Sequence, residues 1–177
     1  CELSGGHLIL WIWPTETQRQ YHISKSIIYD AGRMCVLTNY DTTGVFDNCD
    51  ISRAQGEHAL YLHGDNVFVN SCKLHDCKLG GIRIGGDPAL NSKFYIDRTT
   101  FERVGFGLLL GSLPLGRLEM SNCKMQYFRS LGVYSWDPAN ANLTFTNNDI
   151  DLGDGADGLR KTGFEVPNQT VTLLGNR

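Results

Sequence analysis

One six-residue pattern recurs along the whole chain: apolar, polar, Asn or polar, small, polar, apolar. Its copies are Ile23-Ser24-Lys25-Ser26-Ile27-Ile28, Phe46-Asp47-Asn48-Cys49-Asp50-Ile51, Val69-Asn70-Ser71-Cys72-Lys73-Leu74, Ile96-Asp97-Arg98-Thr99-Thr100-Phe101, Met120-Ser121-Asn122-Cys123-Lys124-Met125 and Phe145-Thr146-Asn147-Asn148-Asp149-Ile150. Half copies stand at Cys1-Glu2-Leu3 and Leu173-Leu174-Gly175-Asn176. The small fourth residue falls at 1, 26, 49, 72, 99, 123, 148 and 176, at intervals of 25, 23, 23, 27, 24, 25 and 28. A period in the twenties, built from short strands and glycine turns, marks a solenoid. It lines up like positions in surface columns, from which any site must be assembled.

A second apolar segment follows each copy after a short loop. Examples are His7-Leu8-Ile9-Leu10-Trp11, Ala59-Leu60-Tyr61-Leu62-His63, Gly81-Ile82-Arg83-Ile84-Gly85, Gly107-Leu108-Leu109-Leu110-Gly111, Gly132-Val133-Tyr134-Ser135-Trp136 and Gly158-Leu159-Arg160-Lys161-Thr162. Alternation with period two turns Leu60, Ile82, Leu108, Val133 and Leu159 inward, with Leu62, Ile84 and Leu110. It turns Tyr61, Arg83, Leu109, Tyr134 and Arg160 outward. The register of Met34 to Thr38 stays ambiguous, because that stretch is apolar throughout. No segment sustains a helical period, and many of the 20 glycines cluster at the expected corners.

The expectation is therefore all-β: a right-handed parallel β-helix solenoid of about seven coils. It forms one domain over residues 1–177. The chain opens in mid-repeat, so we expect it to be part of a longer chain, with residues upstream. Four cysteines, at 1, 49, 72 and 123, share a column with Ser26, Thr99 and Asn148. A column that accepts all these types wants a small inward side chain, so free thiols are expected there rather than disulfides. Cys35 and Cys77 lie off that column and resist placement.

Charge narrows the partners. Sixteen Lys and Arg stand against nineteen Asp and Glu, a net charge of −3. With no basic stripe, no nucleic-acid partner is expected. The longest apolar run, Leu8 to Trp13, is too short to span a bilayer, so no membrane partner is expected.

The alternation of the Asn-Cys segment with the Gly-apolar-x-apolar-Gly segment resembles the right-handed parallel β-helix (pectin-lyase-like) superfamily. That group includes pectate lyases, polygalacturonases, alginate epimerases and phage tailspikes. The resemblance covers nearly the whole chain and implies a polysaccharide partner and an extracellular or surface location. It does not by itself imply an activity, because one scaffold hosts many functions.

The leading candidate site is the outward face around the second segment, with Tyr61, His63, Arg83, Asp87, Tyr134 and Trp136. His63, Gly85, Gly111 and Trp136 share a column, so two glycines would floor a shallow depression. Flat aromatic faces suit sugar rings, and a guanidinium suits the carboxylate of a uronic acid. The competing reading is ordinary cross-strand stacking on a solvated sheet face.

Lyase or epimerase chemistry would need a base and a cation near the substrate carboxylate, parts open to Arg83, Tyr61 and His63. The polygalacturonase segments Asn-Thr-Asp, Asp-Asp and Gly-His-Gly do not occur, nor does the Asp-Pro-His of alginate epimerases. Catalytic residues therefore stay unassigned, and so does enzyme status. Glu57, Asp65 and Asp87 lie near one another in repeat phase and could serve glycoside hydrolysis, but they sit where turns favour acids. Asp149, Asp151, Asp154 and Asp157 form an acidic run without EF-hand spacing. The histidines at 7, 22, 58, 63 and 75 show no metal-ligand spacing. No metal or cofactor is expected. Asn142-Leu143-Thr144 and Asn168-Gln169-Thr170 are glycosylation tripeptides that matter only in a eukaryotic secretory setting.

Both ends stand at the same phase of the repeat, and neither carries a polar cap. Unpaired strand edges recruit other strands. A piece of a longer rod and self-association through open β-helix ends are the two readings. The second would make the chain a structural rod or head-to-tail filament subunit.

Overall fold

The computed structural model describes residues 1–15, 19–85, 92–111, 115–128, 131–135, 142–151, 162–165 and 170–177. Its strands come in repeating groups of three. The first group is β1 (Glu2–Ser4), β2 (Leu8–Ile12) and β3 (Gln20–Ser24). Next come β4 (Ile27–Tyr29), β5 (Met34–Thr38) and β6 (Thr43–Asp47), then β7 (Asp50–Ser52), β8 (His58–Leu62) and β9 (Asn66–Asn70). The middle group is β10 (Lys73–His75), β11 (Gly80–Ile84) and β12 (Ser92–Asp97). It is followed by β13 (Thr100–Glu102), β14 (Phe106–Leu110) and β15 (Leu115–Ser121), then β16 (Lys124–Gln126), β17 (Leu131–Ser135) and β18 (Asn142–Thr146). The last group is β19 (Asp149–Asp151), β20 (Thr162–Glu165) and β21 (Thr170–Leu174).

The first strands of all groups form one parallel sheet of seven, the second strands another, and the third strands a third. The chain is thus an all-β parallel solenoid. The sequence pattern suggested two strands per repeat; there are three. The six-residue pattern is not one strand but two, broken at its third residue. Lys25, Asn48, Ser71, Arg98, Asn122 and Asn147 stand there with φ between 46° and 55°, and Gly175 has φ 63°. Each turns the chain from the third sheet into the next strand of the first. A second left-handed column follows the first sheet: Gly5, Asp30, Arg53, Asp76, Arg103 and Tyr127. The three-residue strands of the first sheet are thus bracketed by left-handed residues.

The column of small residues explains itself at this bend. The backbone N–H that follows each small residue donates to the carbonyl of its counterpart one turn earlier, as in Asp50 to Ser26, Lys73 to Cys49 and Thr100 to Cys72. The side chains point inward and donate across the bend to the carbonyl two residues back. Ser26 Oγ reaches Ser24 at 2.9 Å, Cys72 Sγ reaches Asn70 at 3.3 Å, Thr99 Oγ1 reaches Asp97 at 3.1 Å and Cys123 Sγ reaches Ser121 at 3.1 Å. Asn148 Oδ1 accepts the Cys123 N–H at 2.9 Å, while its Nδ2 donates to the Met120 carbonyl at 3.0 Å. The column therefore selects small groups that can hydrogen-bond, not merely small groups.

All six cysteines are thiols, and all but Cys1 are buried. Cys35 and Cys77 now find places. Cys35 is aligned with Ala59 by the pairing of β5 with β8, and Cys77 follows the left-handed Asp76 as Ala54 follows Arg53. Burial pushes their thiols up, Cys35 to about 12 and Cys77 to about 11.

Phe46, Phe94, Phe101 and Phe145 fill the interior with Leu60, Ile82 and Leu108 and with Leu62, Ile84 and Leu110. The alternation expected of the second segments holds for these leucines and isoleucines. Met34 to Thr38 takes the register Leu8↔Met34 and Val36↔Leu60, which turns Leu37 outward between Trp11 and Tyr61. One expectation needs correction. Leu109 is buried, although it lies outside the core cluster, in the outer column between Arg83 and Tyr134. The last strand of the second sheet is Thr162–Glu165, with Phe164 opposite Val133 and Glu165 opposite Tyr134. Leu159 and Arg160, assigned inner and outer places, lie outside the described residues.

Candidate functional site on the second sheet

Parallel pairing stacks the outer column of the second sheet as Trp11, Leu37, Tyr61, Arg83, Leu109 and Tyr134. Neighbouring strands stand ~4.8 Å apart, so successive positions of the column are adjacent along the sheet. The Arg83 guanidinium carbon lies 4.5 Å from the centroid of the Tyr61 ring, a cation–π contact. His63 packs against Tyr61 at 4.5 Å between ring centroids and against Tyr40 at the same distance. Three aromatic rings and a guanidinium thus form one continuous cluster across three successive turns.

The strand end holds His63 in place. Thr38 Oγ1 accepts the His63 N–H and donates to the His63 carbonyl, both at 2.8 Å. Beside the cluster, Arg33 and Glu57 form an ion pair. Tyr61 feels this whole group. Burial raises its pKa, Arg83 and Arg33 oppose the rise, and Tyr40 and Glu57 add to it.

His58, at the start of β8, is fully buried, and neither ring nitrogen has a hydrogen-bond partner. Burial, aided by the nearby Arg83 charge, pushes its pKa down to about 4. It is a neutral imidazole under a cationic site. Its space comes from Gly80, where a Cβ would stand 2.6 Å from His58 Cδ2.

Tyr61 and Arg83 come together as the sequence suggested, half-buried on the outer face. His63 joins them but is buried at the strand end rather than displayed. Tyr134 takes its expected place in the column two strands beyond Arg83. Asp87 and Trp136 lie outside the described residues, as do Asp154, Asp157 and Asn168. Gly85 and Gly111 do continue the His63 column, since Gly85 N donates to Leu62 O and Gly111 N to Ile84 O. Tyr40, Arg33 and His58 were missed. Tyr40 and Arg33 flank a strand whose register was ambiguous, and His58 reads as the polar start of a strand.

Elsewhere, Glu57 is paired with Arg33, and Asp149 stands 3.8 Å from Arg177. Among the described residues no three His, Cys, Asp or Glu side chains gather as a metal site. No helix there is long and apolar enough to cross a membrane.

Two Trp side chains complete the outer face at its start. Trp11 and Trp13 meet edge to face at 5.2 Å and 78°, and both are more than half exposed, at 56% and 62%. They border a groove of about 260 Å³.

No curated protein and no solved structure matches the chain. A family model described as the right-handed β-helix region matches residues 11–176. With that match and the stacked parallel sheets on the page, the chain belongs to the right-handed β-helix family.

Proposed function

We propose that this β-helix recognises an acidic polysaccharide through the outer face of its second sheet. The observation that carries the reading is the Arg83 guanidinium stacked on Tyr61 beside the Tyr40–His63 pair. A guanidinium meets a carboxylate with two parallel hydrogen bonds, and ring faces cover the apolar C–H face of a sugar. Stacking on Tyr61 holds the guanidinium plane and lowers the entropy lost when a carboxylate docks. The reading places the protein where such polymers are met, outside the cell or on a cell or virion surface. It leaves the chain a binding module, whether alone or as part of a polysaccharide lyase or depolymerase.

Titration calorimetry with an α-1,4-linked galacturonate hexasaccharide tests this. Arg83→Ala is expected to weaken binding at least tenfold with the melting temperature nearly kept. Arg83→Lys should recover only part of the loss, because an ammonium cannot make the paired contact. Equal affinity in wild type and Arg83→Ala would overturn the proposal, as would no binding at millimolar sugar.

A further inference from the structure

We infer that the groove along the bends between the first and second sheets, from Gln55 to Tyr127, is a second subsite, which takes a sugar unit bearing a carboxylate or a sulfate ester. The groove is independent of Arg83; that its occupant is a sugar rests on the acidic-polysaccharide reading.

Stacking builds the groove. The bends lie one above another, because Arg53 N donates to His75 O, Asp76 N to Glu102 O and Arg103 N to Gln126 O. Gln55, Lys78, Arg103 and Tyr127 therefore come from four successive turns, a span of three spacings or ~14 Å along the axis. With Asp76 and Cys77 they line a groove of about 710 Å³. That volume lies within the ~300–1,000 Å³ of ligand sites. The groove sits on the third to sixth strand groups, with further strand groups on both sides.

Gly105 keeps it open. It follows Val104 after the left-handed Arg103, as Lys78 follows Cys77 after the left-handed Asp76. The bend presses there on the turn before, and a Cβ at Gly105 would stand 2.2 Å from the Leu79 carbonyl oxygen. The place beside Lys78 therefore stays without a side chain.

Charge decides what enters. Asp76 is already held. Arg103 donates to it from Nε at 2.5 Å and from Nη2 at 2.9 Å, and His75 Nδ1 stands 2.5 Å from its Oδ2. These partners keep its carboxyl well below the usual carboxylate range. The same contacts fix the plane of the Arg103 guanidinium, whose Nη1 turns to Glu102. Glu102 in turn faces Lys73. Lys78 is exposed and joins no ion pair among the described residues. The described lining thus sets two cations against one engaged carboxylate, with the Lys78 ammonium left to meet an anion.

Tyr127 supplies the ring. It is 59% exposed and stands at φ 55°, in the left-handed region. A bulky side chain is uncommon there, and such outliers gather at ligand sites. Earlier members of its column pair with each other, Asp30 with Arg53 and Asp76 with Arg103. Tyr127 stays out of the core cluster and makes no hydrogen bond among the described residues. It lies close enough to Arg103 to interact with its charge. A ring so placed covers the apolar C–H face of a sugar whose acid group meets Lys78.

The test titrates the whole chain with three hexasaccharides: a homogalacturonate, a sulfated galactan of the κ-carrageenan type, and an uncharged β-1,4-glucan. Amide chemical shifts locate the ligand, and calorimetry gives affinity. One acidic sugar or both are expected to shift the amides of Gln55, Lys78, Arg103 and Tyr127, and the one that does identifies the acid group. Lys78→Gln is expected to weaken that sugar about fivefold and to leave the glucan unchanged. Tyr127→Asn puts in a residue suited to the left-handed region. It is expected to keep or raise the melting temperature and still weaken the same sugar about fivefold. Tyr127→Phe keeps the ring and should bind as wild type does. Arg83→Ala should leave the four amide shifts in place.

Wild-type affinity in both Lys78→Gln and Tyr127→Asn, or four unmoved amides, overturns the subsite, while a loss in Arg83→Ala would leave the acidic-polysaccharide reading standing. Shifted amides with Arg83→Ala binding as wild type does keep the groove and remove the second-sheet site. A glucan loss in Lys78→Gln equal to that of the acidic sugars overturns the anionic preference. A lower melting temperature in Tyr127→Asn makes the ring part of the fold and overturns its role here. No binding of any of the three sugars overturns both sites.

Discussion

The imidazole of His63 occupies the space that a side chain on Gly85 would need. A Cβ at Gly85 would stand 2.5 Å from His63 Cε1 and 2.9 Å from Nδ1. These residues are neighbours across one turn, since Gly85 N donates to the carbonyl of Leu62. The His63 ring is held from the other sides by Tyr40 and Tyr61. Gly85→Ala must therefore push His63 into its two aromatic neighbours. The expected cost is ~1–3 kcal/mol in chemical denaturation. Binding of the galacturonate hexasaccharide should fall further than stability alone explains, because the rings that would contact sugar are displaced. Gly111→Ala, where the nearest atom is 3.1 Å from the added Cβ, should cost less.

His58 sets a pH dependence that is separable from that of the acids. The folded chain holds it at about 4, against 6.5 for a free imidazole. Between those values the unfolded chain takes up a proton that the folded one refuses, so stability falls as pH drops from 6.5 to 4. The shift corresponds to at most about 3 kcal/mol. Asp76 and Asp97 have lowered pKa values, and their stabilising share is lost only below the ordinary carboxylate range near 3.8. Urea unfolding of wild type and His58→Phe at pH 7 and pH 4.5 reads the difference. The variant should lose less stability between the two, and equal losses would show that His58 is protonated in the fold.

The repeat was legible because its physics is local. A side chain must point inward and either bridge the bend, as Ser, Cys and Thr do, or bond to the adjacent turns, as Asn148 does; that restriction is visible as a column. The number of strands was not legible. The left-handed third residue of each six-residue copy is Lys, Asn, Ser or Arg, and the Lys25 and Arg98 copies carry no turn signal. The site was half legible. Tyr61 and Arg83 follow from period two within their own strands. Tyr40 comes from the end of another strand and reaches His63 only through the coil. The last described strand of the second sheet, Thr162–Glu165, is set by its pairing with Leu131, Val133 and Tyr134, a relationship that its own composition does not announce.

Backbone strain at the bends can be measured directly. Lys25 is exposed and has φ 47°, a region that costs a non-glycine residue ~1 kcal/mol. Lys25→Asn should be neutral to stabilising by a few tenths of a kcal/mol, since Asn tolerates that region. Lys25→Ile should destabilise by ~1–2 kcal/mol, because a branched Cβ clashes there. Thermal melts of the two variants, with no contact in the core altered, isolate the backbone effect. Equal melting temperatures would mean that the bend relaxes around either side chain.

Thr99 shows whether the inner column works by hydrogen bonding or by size. Its Oγ1 accepts the Cys72 N–H at 3.4 Å and donates to the Asp97 carbonyl at 3.1 Å, while its own N–H points to Cys123 Sγ at 3.5 Å. Thr99→Val keeps shape and removes the hydroxyl, leaving the Cys72 N–H and the Asp97 carbonyl without that partner in a buried place. A cost of ~1–3 kcal/mol follows if hydrogen bonding is what the column selects. Thr99→Ser keeps the hydroxyl and loses one methyl, for ~1 kcal/mol or less. Thr99→Cys places the group found at Cys72 and Cys123 in the same column and should fall between them. Hydrogen exchange at the Cys72 amide supplies the second readout, faster in the Val variant than in the Ser variant. If Val proves as stable as wild type, with the Cys72 amide equally protected, then size alone fills the column and its recurrence of Cys, Ser, Thr and Asn has no hydrogen-bonding cause.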